Sequence, residues 1–163
     1  MIKFLYGNLF EHKADIRVNT VNCFGAAGAG IARQFRDRYP SMNAEYIRLC
    51  RRRAVRPGIP YIWENNDFFG ETDEKVTIVN FPTKDHWRNP SRYEYIEKGL
   101  RWLEKYLRNR PDSTITIPAL GCGLGGLNWK RVKAMIVEVL SESPAEILVF
   151  EPQQPKHPHS SNG

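Results

Sequence analysis

Apolar and polar positions along this chain fall into two alternating rhythms. Residues 2–6 (I-K-F-L-Y) are apolar and strand-like, and residues 16–21 (I-R-V-N-T-V) alternate with period two, as a half-buried strand does. Residues 76–81 (V-T-I-V-N-F) form a run suited to a buried strand, and 59–63, 114–118 and 146–150 are shorter strands of the same kind. Between them the period becomes helical. Ile31, Ala32 and Phe35 recur within residues 30–38, and Met42, Tyr46 and Leu49 share one face of a second helix at 41–53, begun after Pro40. Residues 91–108 are the most regular segment. Ser91 is the expected cap, Glu94 completes a capping box, and Tyr95, Leu100, Leu103 and Leu107 make the apolar stripe. A last helix is expected at 129–140. Strands alternating with helices predict an α/β layered fold around a mixed, mostly parallel central sheet.

Composition narrows the class without changing that picture. The 163 residues suit one domain, with 41% apolar and 26% charged residues, an ordinary globular balance. No apolar run approaches the roughly 18 residues of a membrane helix, and the N-terminus enters a strand pattern without the layout of a secretory signal. Cys23, Cys50 and Cys122 are odd in number and lack C-x-x-C spacing, which argues against a disulfide framework and against a zinc site. A cytoplasmic protein without membrane contact, metal or cofactor is the expectation. The ordered domain is expected to cover residues 1–152. Residues 153–163 (Q-Q-P-K-H-P-H-S-S-N-G) are expected to form a disordered tail whose His157 and His159 have no partner ligands.

The net charge is +6. It suits an anionic partner such as nucleic acid or a nucleotide, and equally serves solubility. Arg48 to Arg56 read as a solvated helix face. The stretch 84–92 (K-D-H-W-R-N-P-S-R) interleaves cations with His86 and Trp87, a mixture used for base stacking with phosphate contact.

Two glycine-rich loops then carry the candidate chemistry. Residues 25–30 follow the second strand, and residues 120–127 (L-G-C-G-L-G-G-L) follow the strand at 114–118. Each lies between a strand end and a helix start, where free backbone N–H groups favour phosphate and glycine permits close approach. Two tight turns are the plainer reading of the same residues. Gly121, Gly123 and Gly126 also fit the dinucleotide pattern G-x-G-x-x-G, with Glu146 about 20 residues on. Only one further strand follows, however, which argues against a dinucleotide fold. Asn19 and Asn22 suit either a sugar hydroxyl or a turn. Lys84, just past the expected strand end, suits a nucleophile or clamp in a low-dielectric cleft, although a lone loop lysine is usually solvated.

Three segments together change the weighing. V-N-T-V-N-C-F-G-A-A-G-A-G-I-A, N-F-P-T-K-D-H-W-R-N-P-S and I-P-A-L-G-C-G-L-G-G-L-N-W resemble the macrodomain family, in particular its branch found in the antitoxin DarG. The resemblance implies a three-layer α/β/α fold that binds ADP-ribose. It further implies a DNA ADP-ribosyl glycohydrolase that releases ADP-ribose from thymine in single-stranded DNA and so reverses DarT-type modification. It assigns catalysis to Lys84 and Asn22. Substrate contacts fall to Asn8, Leu9, Thr20, Gly28, Ala29, Gly30, Ile31, Thr83, Leu120, Gly121, Cys122, Gly123, Leu124, Gly125 and Phe150, with Asn8, Leu9 and Phe150 near the adenine. His86, Trp87 and Arg88 would meet the DNA. The implied partners are ADP-ribose, ADP-ribosylated single-stranded DNA and a DarT-like toxin, for a monomeric protein.

Two departures stand out. Close relatives carry G-x-M-G-K-G-I-A in the first loop, whereas here Ala27 and Ala29 replace the methionine and lysine, and Asn8 stands where an aspartate is frequent. Three other functions fit part of the pattern: a non-catalytic ADP-ribose reader, a hydrolase acting on protein carboxylates, and a general single-strand binder.

Overall fold

The computed structural model describes residues 1–65 and 75–152. The expected tail lies outside the described residues. The strands are Ile2–Leu5 (β1), Ile16–Asn22 (β2), Tyr61–Glu64 (β3), Thr77–Lys84 (β4), Thr114–Ile117 (β5) and Glu146–Phe150 (β6). They pair in the order β1-β6-β5-β2-β4-β3, parallel throughout except for the antiparallel edge strand β3. The helices are Gly30–Arg38 (α1), Pro40–Arg51 (α2), Tyr93–Leu107 (α3) and Trp129–Leu140 (α4).

Strands covered on both faces need apolar side chains in both directions, and the core divides accordingly. Val79, Phe81, Ile147 and Val149 pack with Ile96, Leu100, Leu103 and Leu107 of α3 and with Val132, Ile136 and Leu140 of α4. Ile78, Leu148 and Phe150 turn the other way, onto Phe35 of α1, Tyr39 and Met42 of α2. The result is a three-layer α/β/α sandwich. In the α3 layer Gly99 forms a notch for a ring: a Cβ there would lie 2.5 Å from Cε1 of Phe81.

The expected element boundaries need four corrections. β4 does not stop at Phe81 but continues through Pro82 and Thr83 to Lys84. Proline is tolerated there because β3 pairs with β4 no further than Asn80, so no ladder bond needs its missing N–H on that side. α2 begins on Pro40 and ends at Arg51, with Arg53 in the left-handed region at φ 56°. Ser91 is not the cap of α3. The cap position is Arg92, without a side-chain bond, while Ser91 is buried and ties three segments together. Its hydroxyl lies 3.3 Å from Thr83 Oγ1 and its amide donates to the Gly125 carbonyl at 3.0 Å. Finally, Ile96 rather than half-buried Tyr95 heads the buried stripe of α3.

This topology positions a crevice. β5, β2 and β4 are adjacent and parallel, so their carboxyl ends emerge side by side. The chain leaves β2 for α1 on one face and leaves β5 for α4 on the other. Ligands in open α/β sheets bind where neighbouring connections part in this way.

Candidate functional site

A cleft of about 600 Å³ occupies that crevice, walled by both glycine loops and by the end of β4. Asn22, the last residue of β2, organises the first loop. Its Oδ1 accepts from the amides of Phe24 (3.0 Å), Gly25 (3.0 Å) and Ala26 (3.2 Å), and its Nδ2 donates to the Ala26 carbonyl at 2.8 Å. The buried Tyr46 hydroxyl of α2 braces the same residue, 2.7 Å from the Asn22 carbonyl and 2.9 Å from Oδ1. Beyond this collar the loop runs into α1, whose cap residue Ala29 offers no side-chain acceptor. The amides of Gly30, Ile31 and Ala32 therefore face the cleft without a hydrogen-bond partner among the described residues. Such a helix start attracts an anion.

The second loop, 120–127, is closed by its own bonds. The Cys122 amide donates to Ala119 O (3.1 Å), Gly126 to Gly123 O (3.2 Å) and Leu127 to Gly121 O (2.9 Å). That leaves the amides of Gly123, Leu124 and Gly125, residues of the cleft wall, without a hydrogen-bond partner among the described residues. Glycine is required at 125, where a Cβ would collide with Ser91 Oγ and with the Gly121 carbonyl at 2.5 Å. Burial pushes the Cys122 thiol up to about 11, so it stays protonated at neutral pH. Both loops thus bring unpartnered amides to the cleft wall, with no cation from either loop, an arrangement that can accept an anion such as phosphate.

Lys84 is the one charged side chain on the wall among the described residues. It pairs with Asn22 across a register shift between β2 and β4, which brings both to the cleft. Its Nζ donates to the Trp87 carbonyl at 3.2 Å. Partial burial lowers its pKa below the usual lysine value, and no carboxylate among the described residues forms an ion pair with it. A desolvated amine next to an anion cradle can act as a nucleophile.

Residues 18–136 match the family model for the Macro domain. The chain belongs to the macrodomain family. It is 38% identical over 161 residues to the "DNA ADP-ribosyl glycohydrolase" of Thermus aquaticus, covering 98% of this chain and 44% of that protein. It thus spans less than half the length of that relative. The macrodomain of Mycobacterium tuberculosis DarG superposes with a TM-score of 0.85 at 36% identity, covering 94% of this chain and 99% of that structure. Thermosipho africanus DarTG in complex with ADP-ribose superposes with a TM-score of 0.84 at 27% identity, covering 98% of this chain and 44% of that one.

Within this macrodomain the cleft brings together Thr20, Asn22, Gly28, Ala29, Gly30, Ile31, Thr83, Lys84, Trp87, Gly121, Cys122, Gly123, Leu124 and Gly125, all expected at the site. Other expected residues lie off its wall. Leu120 is buried in the α3–α4 layer. Leu9 and Phe150 pack in the α1–α2 layer, and Asn8 caps a 3-10 turn at Leu9–Glu11 by accepting from the Phe10 amide at 2.9 Å. Asn19 is spent inside the protein, donating to Asn80 Oδ1 at 2.9 Å. Glu146 opens β6 at the sheet end opposite the cleft and pairs with Lys3 at 3.7 Å, so it cannot hold a ribose there.

His86 and Arg88 stand outside the wall but join Trp87 at the mouth. The His86 and Trp87 rings are 5.6 Å apart at 29°, and the Arg88 guanidinium lies 4.7 Å from the Trp87 centroid. Sequence reasoning missed a fourth member, Phe24, whose ring is 4.5 Å from His86. A large aromatic inside a glycine–alanine loop was the available signal. Tyr46 was missed as well, because its hydroxyl sits on a helix 24 residues away from Asn22.

Proposed function

We propose that the cleft binds ADP-ribose and that the chain hydrolyses the N-glycosidic bond joining ADP-ribose to a thymine base of single-stranded DNA. The observation that carries this reading is Lys84: a partly desolvated amine without a carboxylate partner, next to a cradle of unpaired amides. The relatives' names support it, since Thermus and Mycobacterium proteins of this kind are a DNA ADP-ribosyl glycohydrolase and a DarG macrodomain, and the Thermosipho DarTG structure contains ADP-ribose. By the same token a DarT-like transferase is the source of the substrate.

The diphosphate lies against the amides of Gly30–Ala32 and Gly123–Gly125, which places the anomeric carbon toward Asn22 and Lys84. The neutral Lys84 amine forms a bond to that carbon as the carbon–thymine bond breaks. The bonding pair leaves with thymine, which takes up the proton lost by the amine. The ring-opened form of the resulting glycosylamine is a Schiff base. Water then adds to the same carbon, the amine departs, and free ADP-ribose and unmodified DNA are the net products of one water. Asn22 acts as the organiser of the loop, with one Nδ2 hydrogen left for the ribose. Hydrolysis of protein carboxylate esters by a lysine–aspartate pair is disfavoured, because no carboxylate lines the cleft among the described residues.

The test is release of ADP-ribose from a thymidine-modified oligonucleotide by wild type and Lys84→Ala. Release is expected to fall by at least a hundredfold while calorimetric affinity for ADP-ribose stays within about threefold. Full activity of the variant, or release from glutamate-linked protein alone, refutes the assignment.

A further inference from the structure

Phe24 is 59% exposed although it lies in the most tightly fixed part of the first loop. Its amide is held by Asn22 Oδ1, and the preceding Cys23 amide donates to the Asp85 carbonyl at 2.8 Å. The segment it leans on is equally braced: the Arg88 amide donates to His86 Nδ1 at 3.1 Å and the Asn89 amide to His86 O at 2.9 Å. Two separate loops thus build one ladder, Phe24–His86–Trp87–Arg88, that starts on the cleft wall at Trp87 and runs outward.

The members differ in what they have left to offer. Trp87 already has His86 and the Arg88 guanidinium against it, and His86 lies between two rings. Phe24 has His86 as its one aromatic or cationic neighbour among the described residues, and so keeps an open face. A rigid, exposed aromatic at the mouth of the cleft, at the end of a ladder that carries the Arg88 guanidinium on Trp87, suits a nucleobase, which gains by stacking when it is not already stacked in a duplex. The modified nucleoside is held by the cleft, and Phe24 stands outside that wall.

Resting on the reading of the cleft given above, we infer that Phe24 is the stacking face for the nucleobase adjacent to the modified thymidine, making the ladder the element that favours a single strand over a free nucleoside. Its hydrocarbon ring accepts any base, so the preference is for strand length and not for sequence.

The experiment compares wild type, Phe24→Ala and Phe24→Trp on ADP-ribosyl-thymidine and on a pentanucleotide carrying the same modification centrally. Wild type is expected to show a higher kcat/KM on the pentanucleotide, on the order of tenfold for one stacked base. Phe24→Ala removes that advantage with the nucleoside rate unchanged, and Phe24→Trp keeps it. Absence of a length advantage in wild type, or equal loss on both substrates in Phe24→Ala, overturns the inference. Anisotropy of a labelled, unmodified oligothymidine gives a readout independent of catalysis. If wild type cleaves neither substrate, the hydrolase reading fails. A roughly tenfold weaker oligothymidine affinity in Phe24→Ala then still upholds the stacking role, and an unchanged affinity overturns it.

Discussion

Removing one oxygen from Tyr46 separates loop geometry from chemistry. The hydroxyl is buried, and burial raises its pKa far above neutrality, so it remains an O–H donor. It serves the Asn22 carbonyl at 2.7 Å and Oδ1 at 2.9 Å with a single proton. In Tyr46→Phe, Oδ1 keeps its three amide donors while a largely buried carbonyl loses this one. The net cost is about 1–2 kcal/mol, one hydrogen bond plus part of the penalty for an unsatisfied acceptor. For a chain of this size that corresponds to a fall in Tm of roughly 2–8 °C, readable by differential scanning fluorimetry. The first loop is the part that loosens, so ADP-ribose affinity should weaken about 3- to 10-fold by calorimetry, since each tenfold corresponds to about 1.4 kcal/mol. Lys84 is carried by β4 and should be unaffected, leaving kcat on modified oligonucleotide within about twofold. A lower Tm with unchanged affinity would show that the collar around Asn22 does not set up the anion cradle. A large drop in kcat with unchanged affinity would give Asn22 a direct part in bond cleavage.

Two further outcomes follow from the cleft's charges. The reactive form of Lys84 is the neutral amine, so kcat/KM should rise with pH and level off at a pH below the ordinary lysine pKa, because burial lowers the value. A flat profile between pH 6 and 9 would contradict the nucleophile. Ala29→Lys places an exposed cation beside the unpaired amides at the start of α1, where the extended backbone (φ −149°) accepts any residue. A solvent-exposed ion pair contributes up to about 1 kcal/mol, so ADP-ribose should bind roughly 2- to 5-fold more tightly at low salt, and the gain should fade as salt is raised. Unchanged affinity at low salt would mean that the phosphates lie elsewhere.

Most of the architecture is readable in the chain because β2 alternates with period two and β4 opens on a largely apolar run, while α4 repeats its buried residues at Val132, Ile136 and Leu140 and β6 is a short apolar run between Glu146 and Glu151. The boundaries that moved did so for tertiary reasons. Pro82 reads locally as a strand terminator, but the strand continues because its neighbour on that side has already ended. Ser91 followed by Glu94 reads locally as a cap, yet the serine is drawn inward by Thr83 and Gly125, which are distant in sequence. The site was legible to a similar degree. The glycine loops announce themselves by composition, whereas Lys84 stands out only through the resemblance to the family. The role of Asn22 depends on a phenol from another helix, and the ladder depends on two loops meeting, neither of which leaves a trace in spacing.

The notch at Gly99 ties the history of one position to that of another. Phe81 occupies the space a side chain at 99 would need, and Phe81 lies three residues before Lys84 on the same strand. The thickness of this contact therefore sets how far the end of β4 stands from helix α3. Among descendants of this sequence, a larger residue at 99 should persist only together with a smaller one at 81. Drift at this pair, deep beneath the cleft, would alter the reach of the lysine without touching any residue that meets the ligand.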